Sequence, residues 1–221
     1  LAVVSTAWGH QLDDEGYFGR DALSRRLIRL DGHLLDFVSV AALLVAAAIL
    51  LAVAAARRCI LIGMIAVWAF GSAVLGAEVL KRSLPWHALV PDDALLQRRF
   101  QTDTYPSGHA TIGTSFALSL LLVSSSRWRP WLAVAGGSLS ATFATSVSFA
   151  GWHRPSDALG ALAWSGLCLT LAAALAVRLQ GRPRPEIVNP RHAVLGSTVL
   201  TIVILAATWW VAAEAAPGYP Y

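Results

Sequence analysis

The chain has 221 residues, of which 56% are hydrophobic and only 14% charged. With a mean hydropathy of +0.59, this balance excludes an ordinary soluble domain and marks a membrane protein. The net charge of +4 has little meaning until it is divided between the two sides of a membrane, and no nucleic-acid partner is expected.

Leu1 to Trp8 reads as the tail of an earlier apolar segment, since it lacks the basic start and cleavage site of a signal peptide; a preceding transmembrane helix is expected. From Gln11 to Asp36 the chain is polar, yet Phe18, Leu23, Leu27, Leu30 and Leu34 recur at near-helical spacing, which predicts an amphipathic helix lying in the membrane interface or packed on the bundle. Six apolar runs follow: Phe37 to Ala56, Cys59 to Leu80, Gly108 to Ser126, Trp131 to Phe149, Asp157 to Val177 and Ala193 to Ala213. Each approaches the 20 or so residues that a bilayer core requires. The expected fold is therefore all-α, a polytopic bundle of about six spans. Residues 1–36 form the helix tail and interfacial helix, 37–179 the transmembrane core, and 180–221 a linker and an extra C-terminal span. Arg82 to Tyr105 is expected to loop over one end of the bundle. Cys59 and Cys168 lie inside apolar runs without metal-ligand spacing, so neither a disulfide nor a structural metal is expected.

Arginines in alternate loops set the orientation. One side carries Arg57, Arg58, Arg127, Arg129, Arg178, Arg182, Arg184 and Arg191 against Glu186 alone, and the positive-inside bias makes it cytoplasmic. The other side mixes its cations with many acids. Every candidate for chemistry falls on that second, extracytoplasmic side.

Those candidates lie where apolar runs meet polar segments. In Pro106-Ser107-Gly108-His109, the proline suits a helix start, the glycine admits close approach of a ligand, and the first helical amides beside a hydroxyl suit an anion. His109 adds a group that exchanges protons near neutrality. His153 and Asp157 are four residues apart, so the carboxylate can orient the imidazole. Lys81, the chain's single lysine, sits at the end of the second run, where it either snorkels or contacts phosphate. Glu78 stands three residues before Lys81 and four before Arg82, and Arg82 is the cation expected to be held by it. His10, His33, His87 and His192 lack such company and are read as surface or interface residues. A metal at His153 and Asp157 would need further ligands that no acidic or cysteine cluster supplies.

Together, Lys81, Pro106-Ser107-Gly108-His109, and Ser146 with His153 and Asp157 resemble the three-part signature of the type 2 phosphatidic acid phosphatases, the lipid phosphate phosphatases related to vanadium haloperoxidases. The resemblance spans Lys81 to Gly160 by motif and most of the chain by helix layout. It implies a cofactor-free phosphatase of the plasma membrane acting on a membrane lipid phosphate. In that scheme His153 is the nucleophile, Asp157 orients it, His109 is the acid, and Lys81, Ser107 and Gly108 bind phosphate. Two family arginines are missing. The first motif has Ala88-Leu89 or Trp86-His87 where Arg-Pro is usual, and Val147 follows Ser146 where the third motif has arginine. Arg154 is the expected replacement, with Arg82, Arg98 and Arg99 behind it. Two other readings accompany the resemblance: an impaired relative that binds lipid or serves assembly, and a lipid phosphotransferase.

Overall fold

The computed structural model describes residues 6–19, 35, 38–84, 104–181, 191, 195 and 198. Its elements are α1 (Ala7–Phe18), α2 (Val40–Ala56), α3 (Ile60–Ser83), α4 (Gly108–Val123), α5 (Arg129–Phe149) and α6 (Pro155–Gln180). Among the described residues the architecture is all-helical, and α3, α5 and α6 are long and apolar enough to cross a membrane. The other two apolar helices, α2 and α4, have 17 and 16 residues. At about 1.5 Å per residue they reach roughly 25 Å, the short end of a spanning helix. The expected sixth span, 193–213, lies outside the described residues except for Leu195 and Thr198.

α4 is the central helix, packed against α2, α3, α5 and α6. Its residues are small or hydroxylic where neighbours come close, as befits helices that associate by packing and not by escape from water. The Ser119 hydroxyl donates to the Ala66 carbonyl of α3 at 3.2 Å, and the Ser165 hydroxyl of α6 reaches the Thr111 carbonyl at 3.4 Å. Apolar clusters complete the contacts. Leu50, Ala54, Ala66, Phe70 and Val123 join α2, α3 and α4, while Ile65, Ala69, Ala73, Leu169 and Ala172 join α3 to α6.

Successive helices run antiparallel, so the bundle has two chemically distinct ends. At one end Arg57 Nη1 donates to the Val123 carbonyl at 2.6 Å, which satisfies an orphan acceptor at the C-terminus of α4. At the other end the tail of α3 meets the starts of α4 and α6.

α1 corrects the sequence-based expectation in its start and in its faces. It begins at Ala7, capped by the Thr6 hydroxyl, four residues before Gln11. Its buried residues are Gly9, His10, Asp13, Asp14 and Tyr17, while Trp8, Leu12 and Phe18 are exposed. The polar face therefore turns inward and the apolar one outward, opposite to a helix packed on a core by its apolar stripe. His10, expected at the surface or an interface, is buried. The stretch from Leu23 to Leu34 lies outside the described residues.

α3 and α6 meet at Gly76, where an added Cβ would collide with the Trp164 ring, whose Nε1 donates to the Ala73 carbonyl at 2.8 Å. Gly71, on the same helix, has no neighbour within 4 Å of such a Cβ. Gly76→Leu should therefore destabilise the detergent-solubilised protein by about 1–3 kcal/mol, lowering Tm, while Gly71→Leu leaves Tm near the wild-type value. Equal Tm values for the two variants would contradict this packing.

Candidate active site

The site is built on the N-terminus of α6. The chain leaves α5 at Ala150, turns at Gly151 with φ 72°, a left-handed conformation that favours glycine, and reaches the N-cap Arg154. The Val147 carbonyl accepts from the amides of both Trp152 and His153, at 3.0 and 3.1 Å, which pins the loop to the end of α5. Asp157, in the first turn of α6, then reaches back. Its Oδ2 accepts from the Arg154 amide at 3.1 Å and the Thr104 hydroxyl at 2.6 Å, and lies 3.1 Å from His153 Nδ1. Both His153 and Asp157 are buried. An ionised carboxylate can only accept, so its contact with Nδ1 selects the tautomer that leaves the Nε2 lone pair for chemistry.

The start of α4 is tied to the same point, because the Ser107 amide donates to the Asp157 carbonyl at 3.0 Å. Pro106 stands before the N-cap and not within the first turn; Ser107 is the N-cap itself. Its hydroxyl accepts from the Ala110 amide at 3.4 Å and is wholly buried, and so helps to shape the helix mouth. Gly108 is different. A Cβ there would stand 3.1 Å from Lys81 Nζ and 3.2 Å from Glu78 Oε1, so the missing side chain is what admits the lysine. His109 makes an edge contact with Trp152, ring centroids 5.4 Å apart, which brings it to the His153 loop. Burial, and then the Asp157 charge, raise the Tyr105 phenol above its ordinary 10.0, keeping it protonated near neutrality.

Lys81, Ser107, Gly108, His109, His153, Arg154 and Asp157 are thus gathered at one end of the bundle, while Arg82 is exposed at the tip of α3. Glu78 holds Lys81 at 2.7 Å, and not Arg82 as expected from spacing. The i, i+3 geometry prevails because Lys81 turns towards Gly108 beside Glu78. Arg154 is buried, its Nε 3.2 Å from Asp14 Oδ1 of α1. Next to this pair, Asp13 accepts from the Ser156 amide at 2.8 Å and the Ser156 hydroxyl at 2.5 Å. Thr104, Glu78, Asp13 and Asp14 were not assigned site roles from sequence. Thr104 adjoins the central motif, but nothing in spacing links it to Asp157, 53 residues away, or Asp13 to Ser156. Arg98, Arg99 and positions 86–89 lie outside the described residues. Among the described residues no group of three or more His, Cys, Asp or Glu side chains is placed to hold a metal ion.

A family model described as the PAP2 superfamily matches residues 57–181, more than half of the chain, and the match contains every one of these motif residues. The chain belongs to the PAP2 superfamily. No curated protein and no solved structure matches it. Membership brings phosphatase chemistry on lipid-type phosphates, and the apolar helices of this PAP2 protein make it a membrane protein. Where its relatives' third motif carries arginine, Val147 is fully buried with Leu35 and Ala158. In this PAP2 protein that position has become part of the apolar support beneath the loop.

Burial pushes the Asp13 carboxyl above its ordinary 3.8, outweighing the Ser156 hydrogen bonds that favour the charged form. The folded state then binds more protons than the unfolded one between 3.8 and the raised value, so this group's contribution is full below 3.8 and is lost as pH rises through that window. Asparagine keeps an acceptor for Ser156 but does not titrate. The Tm of Asp13→Asn minus that of the wild type should therefore climb across the window and then level off. A difference that falls with pH would contradict the burial of Asp13.

Proposed function

We propose that the chain is an integral membrane phosphatase that hydrolyses a phosphomonoester or diphosphate of a polyprenyl or phospholipid substrate through a phosphohistidine. The observation that carries this reading is the hydrogen-bonded unit of His153 and Asp157, tied by the Ser107 amide to a helix mouth that holds Lys81 against Gly108. Nε2 of His153 attacks phosphorus as the bond to the leaving oxygen breaks, and His109 donates a proton to that oxygen. Water, deprotonated by His109, then breaks the P–N bond and releases phosphate. No step calls on a cofactor.

Phosphoryl transfer depends on positioning and on neutralising the equatorial oxygens. Lys81 and Arg154 supply the charge in this scheme, and the Gly108 amide, in the first turn of α4, supplies a donor. The placement of the site at the end of an apolar bundle supports an amphiphilic substrate. Arginines gathered at the opposite end support an extracytoplasmic site in the plasma membrane. A second reading, a lipid-binding or assembly protein of reduced activity, is favoured by two observations: Val147 in place of a motif arginine, and Glu78 paired with Lys81.

His153→Ala should abolish phosphate release from a panel of lipid phosphates, and Asp157→Asn should slow it by about 10³–10⁴-fold with the fold retained. Wild-type turnover should persist in EDTA. Full activity in His153→Ala would reject the mechanism, and a wild type inert on every lipid phosphate would favour the second reading.

Orientation has its own test. A cysteine at Arg127 should resist a membrane-impermeant maleimide in intact cells, whereas a tag after Tyr221 should be accessible. The reverse pattern would move the chemistry to the cytoplasm.

A further inference from the structure

α1 lies outside the segment that matches the family, yet its contacts fall on the loop that carries His153. The Tyr17 hydroxyl donates to the Gly151 carbonyl at 3.2 Å, on one side of the histidine. On the other side Asp14 meets Arg154, Gly16 packs against Pro155, and Asp13 receives both the amide and the hydroxyl of Ser156. Gly151, Arg154, Pro155 and Ser156 thus bracket His153. Two buried carboxylates are a costly way to dock a helix, since an apolar face would do so without desolvating charge. What Asp13 adds is direction, because its two hydrogen bonds to Ser156 are satisfied in only one placement of the loop, while Asp14 adds an ion pair to Arg154.

We propose that Asp13, Asp14 and Tyr17 are positioning residues of the phosphoryl-transfer site, with α1 acting as a clamp that sets His153 and Arg154. The inference rests on the phosphatase reading above. Asp157 holds the His153 ring and the Arg154 amide from inside α6, and Asp13 takes the next amide, that of Ser156, from outside it. With Asp13 gone, the first turn of α6 loses an acceptor and the loop loses its outer hold. Asp14 likewise pairs with the side chain of Arg154, the residue that follows His153 in the chain. None of the three is assigned contact with the substrate.

A tether tests the docking without reference to activity. A Cβ at Gly16 would lie 4.0 Å from Pro155 Cβ, within the roughly 3.5–4.5 Å of a disulfide. Gly16→Cys/Pro155→Cys, with Cys59 and Cys168 replaced by alanine, should lose its reactivity to a maleimide mass tag on oxidation. Asp13→Ala, assayed for phosphate release below its own Tm, should lose roughly 10–100-fold in kcat with KM within about threefold, the penalty of a misplaced reacting group. Asp13→Asn should recover most of that loss, and so should the oxidised tether in the Asp13→Ala background. Thiols that stay reactive after oxidation would overturn the docking. Wild-type kcat in Asp13→Ala, or a tether that blocks the wild-type reaction until reduced, would overturn the positioning role. If the disulfide forms but the wild type releases phosphate from no lipid phosphate, the phosphatase reading fails and takes the positioning role with it, while the docked α1 stands.

Discussion

The active end of the bundle depends on one oxygen atom. Asp157 Oδ2 caps α6 through the Arg154 amide, receives the Thr104 hydroxyl from the segment leading into α4, and faces Nδ1 of His153. A carboxylate buried this deeply is tolerable only with its lone pairs occupied, since an unsatisfied buried polar group costs about 1–3 kcal/mol and a charged one more. The groups that satisfy it come from the start of α6, from the segment before α4 and from His153. Stability of the helix start and orientation of the His153 ring are therefore a single requirement.

That arrangement demands helices that approach closely and do not slide. The interior of the bundle meets the demand with small residues and directed hydroxyls: Gly113 against Phe143, Gly136 against Ala117, and Ser119 and Ser165 bonded across to neighbouring backbones. Apolar contact alone discriminates poorly between registers when the surroundings are also apolar. The interhelical hydroxyl bonds and the close glycine contacts supply the discrimination, and they keep the start of α4 level with that of α6.

Charge at the site is arranged in pairs. Lys81 lies against Glu78 and Arg154 against Asp14, so each cation beside the helix mouth has a carboxylate of its own. The two pairs differ in setting. Glu78 is half exposed, and solvent screens its hold on Lys81, whereas Asp14 and Arg154 are both buried and their ion pair is little screened. Lys81 is therefore the more loosely held of the two cations.

The sequence by itself determined the helical membrane architecture, and its motifs named the residues that the structure gathers at one end of the bundle. Apolar runs of spanning length have few other folds open to them, and the i, i+4 spacing of His153 and Asp157 is a local geometry that any helix start realises. The limits of α2 to α6 were legible to within a few residues because caps and apolar runs are also local. What spacing could not decide was the choice among near-equal local partners, such as Glu78 with Lys81 or Arg82, since that depends on Gly108 arriving from another helix. Nor could it decide the faces of α1. A polar residue on a helix is read by default as facing water, and only the packing of α1 on the start of α6 turned Asp13 and Asp14 inward, because the acceptors that α6 required came from 143 and 140 positions away in the chain.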